Sequence, residues 1–206
     1  MTHRKAIILA AVSVAALAVL GNAPTGGAEI GKAAPTFSLT DSNGKSVSLG
    51  DFKGKIVVLE WTNDGCPYVV GHYRGGMQNF QKKYAKQGVV WLTIISSAPG
   101  TQGYADGKRA NELSKKHDAK PTHVLLDPEG DVGHMYDAKT TPQMFVIDKK
   151  GVLRYDGAID AAYSPSPTKQ KSSEQYFSKA LDAVIAGKEV KLAKTRPYGC
   201  SVKYAK

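Results

Sequence analysis

Residues 56–69 read Ile-Val-Val-Leu-Glu-Trp-Thr-Asn-Asp-Gly-Cys-Pro-Tyr-Val, and this stretch limits the folds open to the chain. The unbroken apolar, β-branched run at 56–59 predicts a short strand buried on both faces, and Asn63-Asp64-Gly65 is turn chemistry. Pro67 suits the first position of a helix, where its missing N–H has no intrahelical partner and its φ is already set. Cys66 then falls at the N-cap, facing the unpaired N–H groups and the positive end of the helix dipole, which favour a thiolate. A free thiol titrates near about 8.5, and such sites bring it down to roughly 3.5–7.5. The expectation is an accessible, reactive thiolate at the first turn. The competing reading is a small buried apolar cysteine, but a core cysteine has no need of a strand-turn-helix junction.

The amino terminus carries a different signal. Met1-Thr2-His3-Arg4-Lys5 is basic, residues 6–20 are apolar and residues 21–28 are rich in small side chains, the pattern of a secretory signal peptide ending at Ala28. An uncleaved anchor is the alternative, although the apolar stretch is shorter than the roughly 20 residues a spanning helix needs. The expected organisation is a signal peptide at 1–28, one domain at 29–187 and a carboxy-terminal tail at 188–206, with export to the periplasm or beyond and no stable membrane insertion after cleavage. The formal charge of +10 comes from lysines scattered beside turns, which argues for a solvated basic surface and against a nucleic-acid stripe. Cysteine is confined to Cys66 and Cys200. An exported chain with that inventory has one internal bridge available and too few sulfurs for a disulfide scaffold or a four-sulfur zinc site.

Along the domain, residues 34–40 and 45–49 alternate apolar and polar around Asp41-Ser42-Asn43-Gly44 and predict a β-hairpin. After Cys66, Val70, Tyr73, Met77, Phe80 and Tyr84 recur at helical spacing, with Gly71, Gly75 and Gly76 weakening the helix. Strands follow at 89–95 and 122–126, with helices at 107–117 and 132–136. Thr141-Pro142 then precedes a strand pair around 143–155, Ser164 to Pro167 form a loop, and a last helix is expected from Ser172, with Gln175 completing a capping box. Strands alternating with helices and closing on an antiparallel pair predict an α/β fold with a mixed sheet. The tail has little periodicity.

This order of elements resembles the thioredoxin fold, and more narrowly the peroxiredoxin-like redoxins of the alkyl hydroperoxide reductase and thiol-specific antioxidant superfamily. The resemblance covers residues 30–187 and is carried by Ala34-Pro35-Thr36-Phe37-Ser38-Leu39, Val47-Ser48-Leu49-Gly50-Asp51-Phe52-Lys53-Gly54-Lys55, Cys66-Pro67, Thr141-Pro142 and Phe145-Val146-Ile147-Asp148. It implies a thioredoxin-like three-layer α/β fold with a mixed central sheet, helices on both faces and an N-terminal β-hairpin. It also implies a cis Thr141-Pro142 peptide lying against Cys66. The chain departs from the patterns of the proteins it resembles in two ways. Val69 stands where thioredoxins place a second cysteine, and Asn63 and Leu59 stand where peroxiredoxins have Thr or Ser and Pro.

The candidate catalytic residues are therefore Cys66, Cys200, Pro142 and Glu60. Glu60 interrupts an apolar strand; buried there, it has a raised pKa and serves as a proton acceptor in thiol exchange, whereas at the strand end it reaches solvent. With no vicinal partner, an oxidised Cys66 turns to Cys200 as a resolving cysteine or as a permanent staple. The expected activity is thiol-disulfide exchange or peroxide reduction by Cys66, with a thiol or disulfide redox partner or a peroxide as substrate and no cofactor or metal. A metallochaperone and a redox-inactive binding module on the same fold are the alternatives. His72 lies six positions from Cys66, a spacing that does not bring the two to one helix face.

Overall fold

A computed structural model describes residues 27–206 of the chain. The predicted signal peptide therefore lies almost wholly outside the described residues. In chain order the elements are β1 (Ser38–Asp41), β2 (Ser46–Ser48), a 3-10 turn at Leu49–Phe52, β3 (Val57–Trp61), α1 (Pro67–Gly75), α2 (Met77–Ala85), β4 (Val90–Ile95) and α3 (Gly107–Lys116). They continue with β5 (His123–Leu126), α4 (Asp131–Met135), β6 (Thr140–Thr141), β7 (Gln143–Ile147), β8 (Leu153–Gly157), α5 (Pro167–Ser172), α6 (Tyr176–Ile185) and β9 (Cys200–Ser201).

Seven strands form one mixed sheet in the order β2-β1-β5-β4-β3-β7-β8. β3, β4 and β5 run parallel, while the β1–β2 hairpin joins one edge and β7–β8 the other by antiparallel pairing. This is the α/β architecture with an N-terminal hairpin that the resemblance implies. β3 is central, and all five of its residues are buried. Alternation along it sends Val57, Leu59 and Trp61 into a core with Phe37, Leu92, Tyr136 and Phe145, beneath α4 and the N-terminal segment. Val58 points the other way, into a core shared with Cys66, Tyr73, Trp91, Phe177 and Leu181 under α1, α2 and α6. The sheet thus buries both faces, and Cys66 belongs to the second.

Three local expectations are corrected. The helix after Cys66 is two helices, because Gly76 takes a φ of 113°, a left-handed conformation open to glycine that ends α1 and starts α2. Helix formation near the last helix begins earlier, at Pro167, so that Ser172 closes α5 instead of opening a helix; its hydroxyl turns back to the Lys169 carbonyl. The predicted capping box fails there, since the Gln175 amide donates to the Gln170 and Ser173 carbonyls. A true capping box closes the turn at Ser48, whose hydroxyl accepts from Gly50 while Asp51 accepts from the Ser48 N–H.

The segment after α6, read as featureless, is strapped across the sheet ends. Thr195 Oγ1 accepts from the Ala158 N–H at 2.9 Å, Val202 N–H donates to Lys139 O at 3.0 Å, Ala98 N–H donates to Lys203 O at 2.8 Å, and the Tyr204 hydroxyl donates to Ala138 O at 2.7 Å. Between these anchors β9 pairs antiparallel with β6. Among the described residues no helix is long and apolar enough to cross a membrane.

Candidate active site around Cys66 and Cys200

The turn that delivers Cys66 is built by Asn63. Its side-chain oxygen accepts from the Gly65 N–H at 2.9 Å, its carbonyl accepts from the Cys66 N–H at 3.0 Å, and its amide donates to Gln102 O at 3.1 Å. This is an Asx turn, in which a short polar side chain stands in for backbone hydrogen bonding. Pro67 occupies the first helical turn and Cys66 is the N-cap, with φ −83° and ψ 119°. The junction is the one expected from the sequence, but the exposure is not. Cys66 has 0% relative accessibility and belongs to a core cluster against which Cys200 of the tail packs.

The Thr141-Pro142 peptide is cis. Its Thr141 carbonyl accepts the Cys66 thiol at 3.0 Å. Thr141 is also the register partner of Cys200 in the β6–β9 ladder, with Thr140 opposite Ser201. Cys66, Cys200 and the Thr141-Pro142 peptide therefore meet at one point, although they are far apart in the chain. Both thiols are free, Cys66 buried and Cys200 partly so. Gly199 makes the approach possible. Its φ is 134°, and a Cβ there would collide with Thr141 O.

The two thiols ionise unequally. Burial pushes the Cys66 thiol up, but it is outweighed by hydrogen bonds from the Cys200 thiol, the Val69 and Cys200 backbone and the Thr141 hydroxyl, which together hold Cys66 below the ordinary cysteine value. Burial, followed by the hydrogen bond to Cys66 and its charge, pushes Cys200 up to about 11. The first proton to leave the pair is therefore that of Cys66, and Cys200 keeps its own to higher pH.

Glu60 is wholly buried on the sheet face that carries Cys66. Its carboxylate accepts from Trp91 Nε1 at 2.7 Å, the Tyr73 hydroxyl at 3.1 Å, and Gln81 Nε2 and Thr93 Oγ1 at 3.2 Å each. Burial raises its pKa, and these donors only partly oppose the rise. None of the four is Cys66. The structure thus unites three of the four predicted site residues and sets Glu60 in a hydrogen-bond cluster of its own. Among the described residues no group of three or more His, Cys, Asp or Glu side chains is arranged to hold a metal ion.

Two contributors escaped the sequence reading. The Thr141 carbonyl left no trace because a backbone acceptor has no residue signature. Tyr198, two residues before Cys200, packs its ring on Tyr68 of α1 at a centroid distance of 5.6 Å, and the Tyr-Gly-Cys sequence of the tail was its only available sign.

Residues 30–156 match the model of the AhpC/TSA family. Among characterised proteins, the chain is 29% identical over 158 residues to the thiol-disulfide oxidoreductase ResA of Bacillus thuringiensis subsp. konkukian (strain 97-27), covering 73% of this chain and 78% of that one. It is 30% identical over 137 residues to the chloroplastic peroxiredoxin Q of Oryza sativa subsp. japonica, covering 61% and 57%. Among solved structures, a hypothetical protein of Sinorhizobium meliloti 1021 superposes with a TM-score of 0.73 at 25% identity, covering 86% of this chain and 95% of that one.

Proposed function

Because the chain belongs to the AhpC/TSA family, we propose that this thiol oxidoreductase works with Cys66 as its attacking thiolate and Cys200 as its resolving thiol. The observation that carries this reading is the β6–β9 register, which sets Cys200 opposite Thr141 while the Thr141 carbonyl holds the Cys66 sulfur. The pattern of residues 1–28 supports export, where such a pair meets oxidised partners.

For a disulfide substrate, the Cys66 thiolate attacks one sulfur, forms a mixed disulfide and releases the other sulfur as a thiolate. Cys200 then loses its proton to solvent and attacks the Cys66 sulfur, closing the Cys66–Cys200 bond and releasing the second substrate thiolate. Two electrons pass from the protein to the substrate. The order is built into the pair, since Cys66 is the more acidic of the two thiols. Once Cys66 is capped, its charge and its hydrogen bond no longer hold the proton on Cys200, so the resolving thiol is activated by the step it must follow. Substrate entry requires β9 to lift, because Cys66 has no exposed surface while the strand is paired.

The reduced protein, mixed with oxidised glutathione and mapped without reductant, is expected to yield a peptide linking Cys66 to Cys200 and two equivalents of reduced glutathione. In Cys200→Ala the mixed disulfide on Cys66 is expected to persist. Stable glutathionylation of the wild-type protein, with no internal bridge, would overturn the reading.

A further inference from the structure

A buried polar cluster ties the tail to α1, and the thiol chemistry makes no use of it. The Tyr198 hydroxyl donates to Asp160 Oδ1 at 2.5 Å and lies 3.3 Å from His72 Nε2, while His72 Nδ1 lies 4.0 Å from Asp160 Oδ2. All three side chains are buried, at 8%, 1% and 6% exposure for Tyr198, Asp160 and His72. They come from three parts of the chain: the tail, the segment after β8, and α1, the helix that Cys66 caps. Asp160 is fixed in turn by the Ala162 N–H at 2.9 Å.

Burial lowers the His72 pKa to about 4, so the imidazole is neutral near pH 7. With the phenol donating to the carboxylate, the remaining hydrogen bond runs from His72 Nε2–H to the Tyr198 oxygen, giving a directed chain that ends on Asp160. Packing alone does not call for it. The Tyr198 ring already rests on Tyr68 and on Tyr163 at 4.9 Å, contacts a phenylalanine would also make. The hydroxyl adds direction. Tyr198 lies two residues before β9, so its hydroxyl bond to Asp160 fixes where the chain enters that strand. From that entry point the β6–β9 ladder sets Cys200 opposite Thr141.

We propose that Tyr198, held by Asp160 and His72, is a positioning residue that pins the register of the tail strand and so keeps the Cys200 sulfur at Cys66. The inference rests on the dithiol reading above. β9 is two residues long, and its downstream anchors at Val202, Lys203 and Tyr204 act from one side only. On the upstream side Tyr198 supplies the fixed point between Thr195 and Cys200. Gly199 between them holds a φ of 134° close against the Thr141 carbonyl and brings no side chain of its own, so the side-chain anchor nearest Cys200 on this side is Tyr198.

The test is Tyr198→Phe, which keeps the ring and removes the hydroxyl. Two quantities are read: the equilibrium constant for closing the Cys66–Cys200 disulfide against reduced and oxidised glutathione, and the pH midpoint of Cys66 alkylation in the reduced protein. Closure is expected to become less favourable by about tenfold or more, the scale of one hydrogen bond to a charged group. The Cys66 midpoint is expected to rise toward that of Cys200→Ala, as the donor from Cys200 is drawn away. A role confined to stability would lower resistance to denaturant and move neither reading in the folded protein. If Tyr198→Phe does not fold, Asp160→Asn carries the test through the same two readings. Wild-type closure and a wild-type midpoint in the folded variant would overturn the inference while leaving the dithiol reading intact. A wild-type protein that never closes the bridge would overturn both.

Discussion

Thr141 stands between the two cysteines: its backbone carbonyl accepts the Cys66 thiol at 3.0 Å, and its own register partner across the β6–β9 ladder is Cys200. A cis peptide, a helix N-cap and a two-residue strand thereby converge on one sulfur. The convergence makes the acidity of each thiol a property of the pair.

The first prediction follows from that coupling. Cys200 lowers the Cys66 pKa by donating to its thiolate, and Cys66 raises that of Cys200 through the same bond and its charge. Cys200→Ala is therefore expected to move the Cys66 alkylation midpoint upward, and Cys66→Ala to move the Cys200 midpoint down from about 11. Alkylation rates against pH in the two single variants check both directions. A change in one midpoint without the reciprocal change in the other would contradict the coupling.

Gly199 supports a second prediction. Gly199→Ala forces a Cβ onto the Thr141 carbonyl at a φ of 134°, so the tail must shift off the Thr141-Pro142 peptide. A strained left-handed residue costs about 1–3 kcal/mol, and that loss is expected in urea unfolding. Because the shift uncovers Cys66, its alkylation well above its pKa is expected to quicken, and intramolecular bridge formation to slow. Both rates come from one quenched time course.

Much of the fold was legible because it rests on local signals. The β1–β2 hairpin, the buried β3, the Asn63 turn and Pro67 at the helix start each follow from patterns a few residues long. Cys66 at the N-cap followed as well, but not its burial. The cover comes from residues more than a hundred positions away, in a strand too short to show alternation. The break at Gly76 was half visible: Gly71, Gly75 and Gly76 marked a weak helix, but the apolar spacing runs unchanged from Val70 to Tyr84 through the left-handed residue. At Ser172 and Gln175 a sound capping pattern lost to Pro167, which begins a helix earlier.

Glu60 supports a prediction about stability. Three donors converge on Oε2 and the Tyr73 hydroxyl on Oε1, so Glu60→Gln can keep its amide oxygen under the three and offer its N–H to the rotatable hydroxyl. Near-neutral behaviour, within about 1 kcal/mol, is expected for it at acid pH, whereas Glu60→Leu orphans buried donors and is expected to cost about 3 kcal/mol or more. The pH dependence has a definite sign. Since burial raises the folded pKa above 4.5, the folded state binds the extra proton between the unfolded and folded values. The Glu60 contribution is therefore full below 4.5 and lost as pH rises through the folded pKa. Glu60→Gln has no such proton and is expected to flatten that fall. Urea midpoints across the acid-to-neutral range, compared between wild type and Glu60→Gln, check it.

Asn63 leads to the last prediction, which concerns peroxide. Its side chain is 1% exposed and its polar atoms are committed, the oxygen to the Gly65 N–H and the amide to Gln102 O. Neither is free to receive a peroxide beside Cys66, and β9 shields the sulfur besides. Hydrogen peroxide is therefore expected to oxidise Cys66 no faster than it oxidises an unassisted thiolate of the same pKa, while a small disulfide reacts through the ionised sulfur whenever the strand lifts. The two barriers separate by mutation. Gly199→Ala displaces the cover and leaves the Asn63 turn intact, so it is expected to speed both oxidants by a similar factor. Stopped-flow oxidation of the reduced wild type and Gly199→Ala, with hydrogen peroxide and with oxidised glutathione, makes the comparison. Peroxide consumption by the wild type far above the unassisted thiolate rate would show that a peroxide site exists despite Asn63. A gain in Gly199→Ala for the disulfide alone would show that the tail is not the barrier to peroxide.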